Sequence, residues 1–344
     1  MDAPLDHAVF AVGDRTYAWS DVVLAARLWG EWAALKAEAR LGLACAARAD
    51  DRDEWPDEDT EDAAANEFRY ARDLVSAEEM EAWLARWGLD EEAWTDYIRR
   101  DLLRREGAEE ADEVLAEYEI EDEDVEAVLW SDAVCSGRLQ RWAQELAARA
   151  AIQARLAEEA PESDDATVAA EARRLLTDAG ADPADPRAGM LARLEVGFRR
   201  FVTRAVTPRA IQAALEPHRL DWVRFDGRCL ALPDEEMARE AALAVREDGL
   251  GLDEVADQAK TEVQAGRWYL DELPAEHRDR FVAARKGELV GPLPWGEGYA
   301  LILVVDKVVP SAEDADTRRR AAEAVLAGLL EHEVSRRVTW HSRP

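Results

Sequence analysis

Three cysteines (Cys45, Cys135 and Cys229) and five histidines are among the side chains of this 344-residue chain suited to nucleophilic, redox or metal chemistry. Their spacing points to none of these. The cysteines form no CxxC pair, and no Cys/His group has the spacing of a metal site. Ordinary reduced thiols and no bound metal are expected. No GxSxG elbow, phosphate-binding loop or HExxH motif occurs. The 75 acidic residues offer many carboxylate pairs, but sequence spacing singles out no acid–base pair, and a solvated surface is the expected use. The motifs therefore give no catalytic residue and no cofactor.

Charge narrows the partners. A formal charge of −32 opposes binding to nucleic acid, which needs a basic surface, and to anionic lipid. It permits attraction of basic peptide segments, although an acidic surface also serves solubility alone. No apolar run reaches the roughly 18 residues of a membrane helix. The opening Met1-Asp2-Ala3-Pro4-Leu5-Asp6-His7 lacks a basic and then apolar leader, so a cytoplasmic location is expected.

The elements that must position any site read mostly as helix, since Ala, Leu, Glu and Arg dominate. Val9-Phe10-Ala11-Val12, a Gly13-Asp14 turn and Thr16-Tyr17-Ala18-Trp19 predict a hairpin. Ser20 is the expected N-cap of the next helix. Residues 49–63 read as an exposed acidic loop. Ser76-Ala77-Glu78-Glu79 is a capping box, Gly88 ends that helix, and Asp90 caps another. In that helix Arg99, Arg100, Arg104 and Arg105 are expected to pair with the acidic stretch 109–126. A helical run from Asp132 to Glu159 precedes breaks at Pro161–Asp165 and Gly180–Pro186, with helix over 166–178 between them. Thr207-Pro208 opens a helix. From Asp221 the rhythm changes: a strand interrupted near Gly227, helices over 234–246 and 252–260, a short helix holding Phe281, and a strand from Tyr299 to Val309. A long helix over 314–337 and the short apolar segment Val338-Thr339-Trp340 close the chain.

Glu272-Leu273-Pro274, then Ala284-Arg285-Lys286-Gly287-Glu288-Leu289-Val290-Gly291-Pro292, then Gly298-Tyr299-Ala300-Leu301-Ile302-Leu303-Val304 resemble the closing half of a parvulin (PpiC-type) peptidyl-prolyl isomerase domain. The flanking helical segments resemble a SurA-like chaperone architecture. The resemblance implies an α+β, mostly helical fold: a discontinuous helical domain with an opening hairpin (1–215), a parvulin-like domain (216–310), and a helix with a short extended segment (311–344) returning to the helical domain.

The same resemblance implies a groove. Leu273 and His277 match groove positions, with Trp268, Tyr269 and Phe281 as further walls. For Phe281 a core position is the expected alternative, and His277 is expected to be partly exposed. Active relatives carry paired histidines here. The second matches Ala300, and the first matches Cys229, or Phe225 if the strand holds an insertion. Gly266 is a lone glycine where relatives have several. The implied function is peptide binding by a degenerate isomerase domain, as a chaperone or a peptide-maturation factor. The partner is an extended or unfolded peptide, proline-containing and precursor peptides included. An active isomerase using Cys229, His277 and Tyr299, or a scaffold for a folded partner, are the alternatives. The thirteen tryptophans suit either peptide contact or packing of the helical domain.

Overall fold

The computed structural model describes residues 5–159, 166–182 and 184–341. Among them are seven strands: β1 (Ala8–Val12), β2 (Arg15–Ala18), β3 (Arg224–Leu232), β4 (Val263–Tyr269), β5 (Leu289–Trp295), β6 (Gly298–Val308) and β7 (Val338–Trp340). Helices make up most of the rest, and both sheets are antiparallel, so the chain is α+β and mostly helical. No helix among the described residues is long and apolar enough to cross a membrane. The chain divides into two units, Met1–Val202 with Leu329–Pro344, and Thr203–Gly328.

The first unit is helical around a small sheet of order β2-β1-β7. Gly13, at φ 58°, supplies the left-handed turn between β1 and β2. Phe10 pairs across the sheet with both Tyr17 and Trp340, stacking on the first at 4.7 Å and tilting against the second at 5.4 Å. Beneath lie the buried Val22, Ala26, Leu129, Leu139, Trp142 and Leu146 of the helices Trp19–Leu28, Asp122–Cys135 and Arg138–Glu159. Ser76 and Glu79 form the reciprocal capping box of the helix Ala77–Trp87, and Gly88 closes it at φ 63°.

Several local expectations give way to tertiary structure. Ser20 is not a cap: the helix begins at Trp19, Asp21 Oδ2 accepts from Ala18 N–H at 2.9 Å, and Ser20 Oγ accepts from Arg187. The acidic stretch 49–63 is not one loop. The helix Glu31–Arg52 runs into it, and Asp57 caps the helix Glu58–Tyr70 through Thr60 N–H at 2.8 Å. The expected helix over 132–159 is two helices, parted at Gly137 with φ 75°.

The arginine cluster faces other partners than expected. Arg99 meets Glu61, Arg100 meets Asp132, and Arg104 and Arg105 both meet Asp101. Residues 109–126 pair instead with the helix Glu31–Arg52, through Arg48–Glu110, Arg52–Glu117, Arg40–Asp122 and Lys36–Glu126. The break expected at Pro161–Asp165 lies outside the described residues, as does Pro183 of the second break.

The second unit is built on a sheet of order β4-β3-β6-β5. Alternation along β6 sends Ala300, Ile302 and Val304 to one face, and Leu301 and Leu303 to the other. The first face packs on Leu273 and the helix Ala275–Ala283. The second packs on the helices Glu235–Arg246 and Leu252–Ala259. Strand β3 is continuous through Gly227, and the expected interruption reduces to a register shift against β6 between Asp226 and Gly227. Gly291 has φ 123°, and a Cβ there would stand 2.6 Å from Ala300 O, so the close approach of β5 to β6 requires glycine.

Candidate functional site

The first face of the four-stranded sheet gathers most of the residues to which the sequence points. Strand β3 contributes Phe225 and Cys229, β6 contributes Ala300, β4 contributes Trp268, and β5 contributes Leu293 and Trp295. One end of this face is sealed. Leu273 and Phe281 are 2% and 0% exposed, and Phe281 meets Phe225 edge-on at 5.3 Å. Phe281 is thus core.

His277 is buried as well, at 4% exposure, against the expectation of partial exposure. Its Nε2 lies 3.1 Å from Pro294 O. A carbonyl can only accept, so Nε2 carries the hydrogen and the imidazole ties its helix to β5. It is not a free acid–base group on the open face.

At the other end the face stays open. Trp268, Trp295 and Cys229 are only partly buried against the core. Gly266 and Gly227 are cross-strand partners, and the Trp268 indole lies over both. A Cβ on Gly266 would stand 2.1 Å from Trp268 Cζ2, and one on Gly227 3.1 Å from Cζ3. Two bare backbone positions therefore let the ring lie down on the sheet. Its neighbour is Trp295, edge-on at 6.1 Å and 87°, an arrangement favoured by the aromatic quadrupole.

Around these rings the same face presents Ala231, opposite Ala300, and Gln264, opposite Cys229. Burial pushes the Cys229 thiol up, so it stays protonated at neutral pH and is a poor nucleophile. Ala300 is fully buried. The open end is an aromatic shelf with one neutral thiol and an exposed amide.

Two of the expected residues lie elsewhere. Tyr269 alternates to the other side of β4, packing with Trp222 and Ala321 beneath the Arg320 guanidinium, which stands 4.1 Å from its ring. Tyr299 packs on the second face with Leu301. The structure adds Trp295 and the Gly227–Gly266 pair, which the sequence reading did not assign. The i, i+2 spacing of Gly266 and Trp268 was the available signal for one of them. Trp295 gave none, because it follows two prolines in a stretch without strand character.

Among the described residues, no group of His, Cys, Asp and Glu is arranged to hold a metal.

No protein-family model matches the chain, and no curated protein matches it. Solved structures similar to it include the peptidylprolyl isomerase PrsA from Bacillus anthracis, with a TM-score of 0.32 and 14% identity, over 55% of this chain and 94% of that one. PrsA from Bacillus cereus has a TM-score of 0.30 and 15% identity over 62% and 85% of the two chains. PrsA from Bacillus subtilis has 0.24 and 14% over 62% and 84%.

Proposed function

We propose that the open sheet face carrying Trp268 and Trp295 holds extended peptides, and that the protein acts as a peptide-binding chaperone or peptide-maturation factor without rapid prolyl isomerisation. The observation that carries this is the pair of half-buried indoles at the open end of the face, beside a protonated thiol and an exposed amide. Aromatic rings exposed on one side suit apolar and prolyl side chains, which bury area against the ring faces. Isomerisation demands more. The amide barrier is about 18–20 kcal/mol, and lowering it needs groups complementary to the twisted amide. The position matched to one family histidine is the buried Ala300, and His277 is occupied by Pro294 O.

Exchange NMR on Xaa-Pro peptides tests both halves of the proposal. Peptide resonances are expected to shift and broaden on adding protein, with cis–trans exchange no faster than in buffer, and Trp268→Ala should remove the shifts. Accelerated exchange lost in Cys229→Ala would establish a remodelled isomerase instead.

A further inference from the structure

We infer that the outer edge of β4 receives the peptide as a fifth, antiparallel strand, and that the preferred peptide is extended, cationic and proline-bearing at alternate positions only. The inference rests on the peptide-binding reading above and specifies how the peptide lies.

It begins with the two edges of the sheet. Strand β5 is blocked along its length. Arg246 Nη2 donates to Leu289 O at 3.0 Å and Gly291 O at 2.7 Å, Arg280 Nη1 to Pro292 O at 3.4 Å, and His277 Nε2 to Pro294 O at 3.1 Å. Pro292 and Pro294 have no N–H to offer. Such an edge cannot accept another strand.

Strand β4 has none of these defences. It runs seven residues without proline, and Gln264, Ala265 and Arg267 are exposed. Leu270 N–H donates to Val223 O at 3.0 Å, toward β3, whereas Tyr269 N–H turns to Glu272 Oε2 at 3.3 Å. Alternation then points the backbone of Gln264, Gly266 and Trp268 at β3, and that of Val263, Ala265 and Arg267 outward. No partner for those three outward residues' backbone groups is found among the described residues. The edges of the three-stranded sheet, at four and three residues, are too short to compete.

The occupant follows from charge and register. A second copy of a chain with formal charge −32 is repelled, whereas a basic peptide is attracted. The one charge on β4, Arg267, is already matched by Asp226 at 3.1 Å and Asp316 at 2.6 Å. Peptide residues opposite Val263, Ala265 and Arg267 must supply N–H groups. Those opposite Gln264, Gly266 and Trp268 point their own N–H away from the sheet, and their side chains fall on the Trp268 face. A proline at those positions forfeits no ladder bond and places its ring beside the indole. The aromatic shelf and the free edge thus select the same peptide register.

The test uses the full chain and a short synthetic Lys-rich peptide with one Ala-Pro bond. Backbone N-methylation at one alternate set of peptide residues is expected to weaken binding about tenfold or more, while the other set is tolerated. Ala265→Pro, which removes an outward N–H and leaves the β3 ladder intact, should weaken binding similarly. In the wild-type chain, peptide should slow hydrogen exchange at Val263, Ala265 and Arg267. That measurement stands even if the variant does not fold. Binding that survives Ala265→Pro without added exchange protection, yet is lost in Trp268→Ala, would overturn the edge inference and keep the peptide-binding reading. Absence of wild-type peptide binding would sink both. Concentration-dependent dimerisation abolished by Ala265→Pro would overturn the inference by naming a second copy as occupant.

Discussion

In the helical unit Trp19, Trp32, Trp87 and Trp142 are buried and touch in pairs, Trp19 with Trp87 at 5.2 Å and Trp32 with Trp142 at 5.9 Å. In the sheet unit Trp268 and Trp295 meet at a similar distance, 6.1 Å, but both keep an exposed side. What lies around each ring makes the difference. The helices pack the buried rings into one apolar cluster. The sheet offers a floor that includes Gly227 and Gly266, and nothing in the described core above it. Among these six rings, four thus supply stability and two an accessible surface.

Substitutions should separate these two roles. Trp142→Ala, at a fully buried ring, is expected to lower stability by about 3–5 kcal/mol in denaturant titrations. A smaller loss would mean that the helical core closes over the gap.

Next in size is the charge network at Glu195, where burial pushes the carboxyl up but the ion pairs with Arg149 and Arg199 outweigh it and hold it below the usual range. A depressed carboxyl stabilises the fold above its unfolded value, and that contribution is lost as pH falls through its folded value. Stability should therefore drop with acid below the ordinary glutamate range. Glu195→Gln, which weakens charge-assisted hydrogen bonds to Arg149 and Arg199, should cost about 1.5–3 kcal/mol at neutral pH and flatten the acid limb. An unchanged pH profile in the variant would remove Glu195 from the explanation.

Ala300→His places a larger side chain at a fully buried strand position, and a loss of about 1–3 kcal/mol is expected, with no gain in isomerisation. Accelerated isomerisation in the variant would show that one histidine suffices to make the face catalytic. Trp268→Ala should have the smallest effect on stability, about 1–2 kcal/mol for a half-exposed ring, and the largest on peptide affinity. Equal losses of stability in Trp268→Ala and Trp142→Ala would erase the contrast between the units.

What the sequence disclosed was chiefly local. The Ser76–Glu79 capping box, the helix-ending Gly88, the Gly13 turn and the β-branched β6 all act within a few residues, and each is in place. Strands β4 and β5 were harder to see. Gly266, Pro292 and Pro294 are poor strand formers, and it is pairing with β3 and β6 that holds them extended. The arginine partners were missed for a related reason: Arg100 and Asp132 lie 32 residues apart, and no periodicity reports such a meeting. At the site, the family resemblance implied that Tyr269 and Tyr299 serve the groove, but strand alternation sends both to the far side. The buried state of His277 depends on a carbonyl 17 residues downstream.

The most direct test of the contrast is a titration of the protein, labelled with nitrogen-15 at its tryptophan indoles, by a Lys-rich Xaa-Pro peptide. The indole N–H signals of Trp268 and Trp295 should shift, those of Trp19, Trp32, Trp87 and Trp142 should stay in place, and the peptide's cis–trans exchange should not accelerate. Shifts confined to the four buried indoles, or accelerated exchange alongside movement of Trp268, would contradict a sheet face that binds peptide without catalysing its isomerisation.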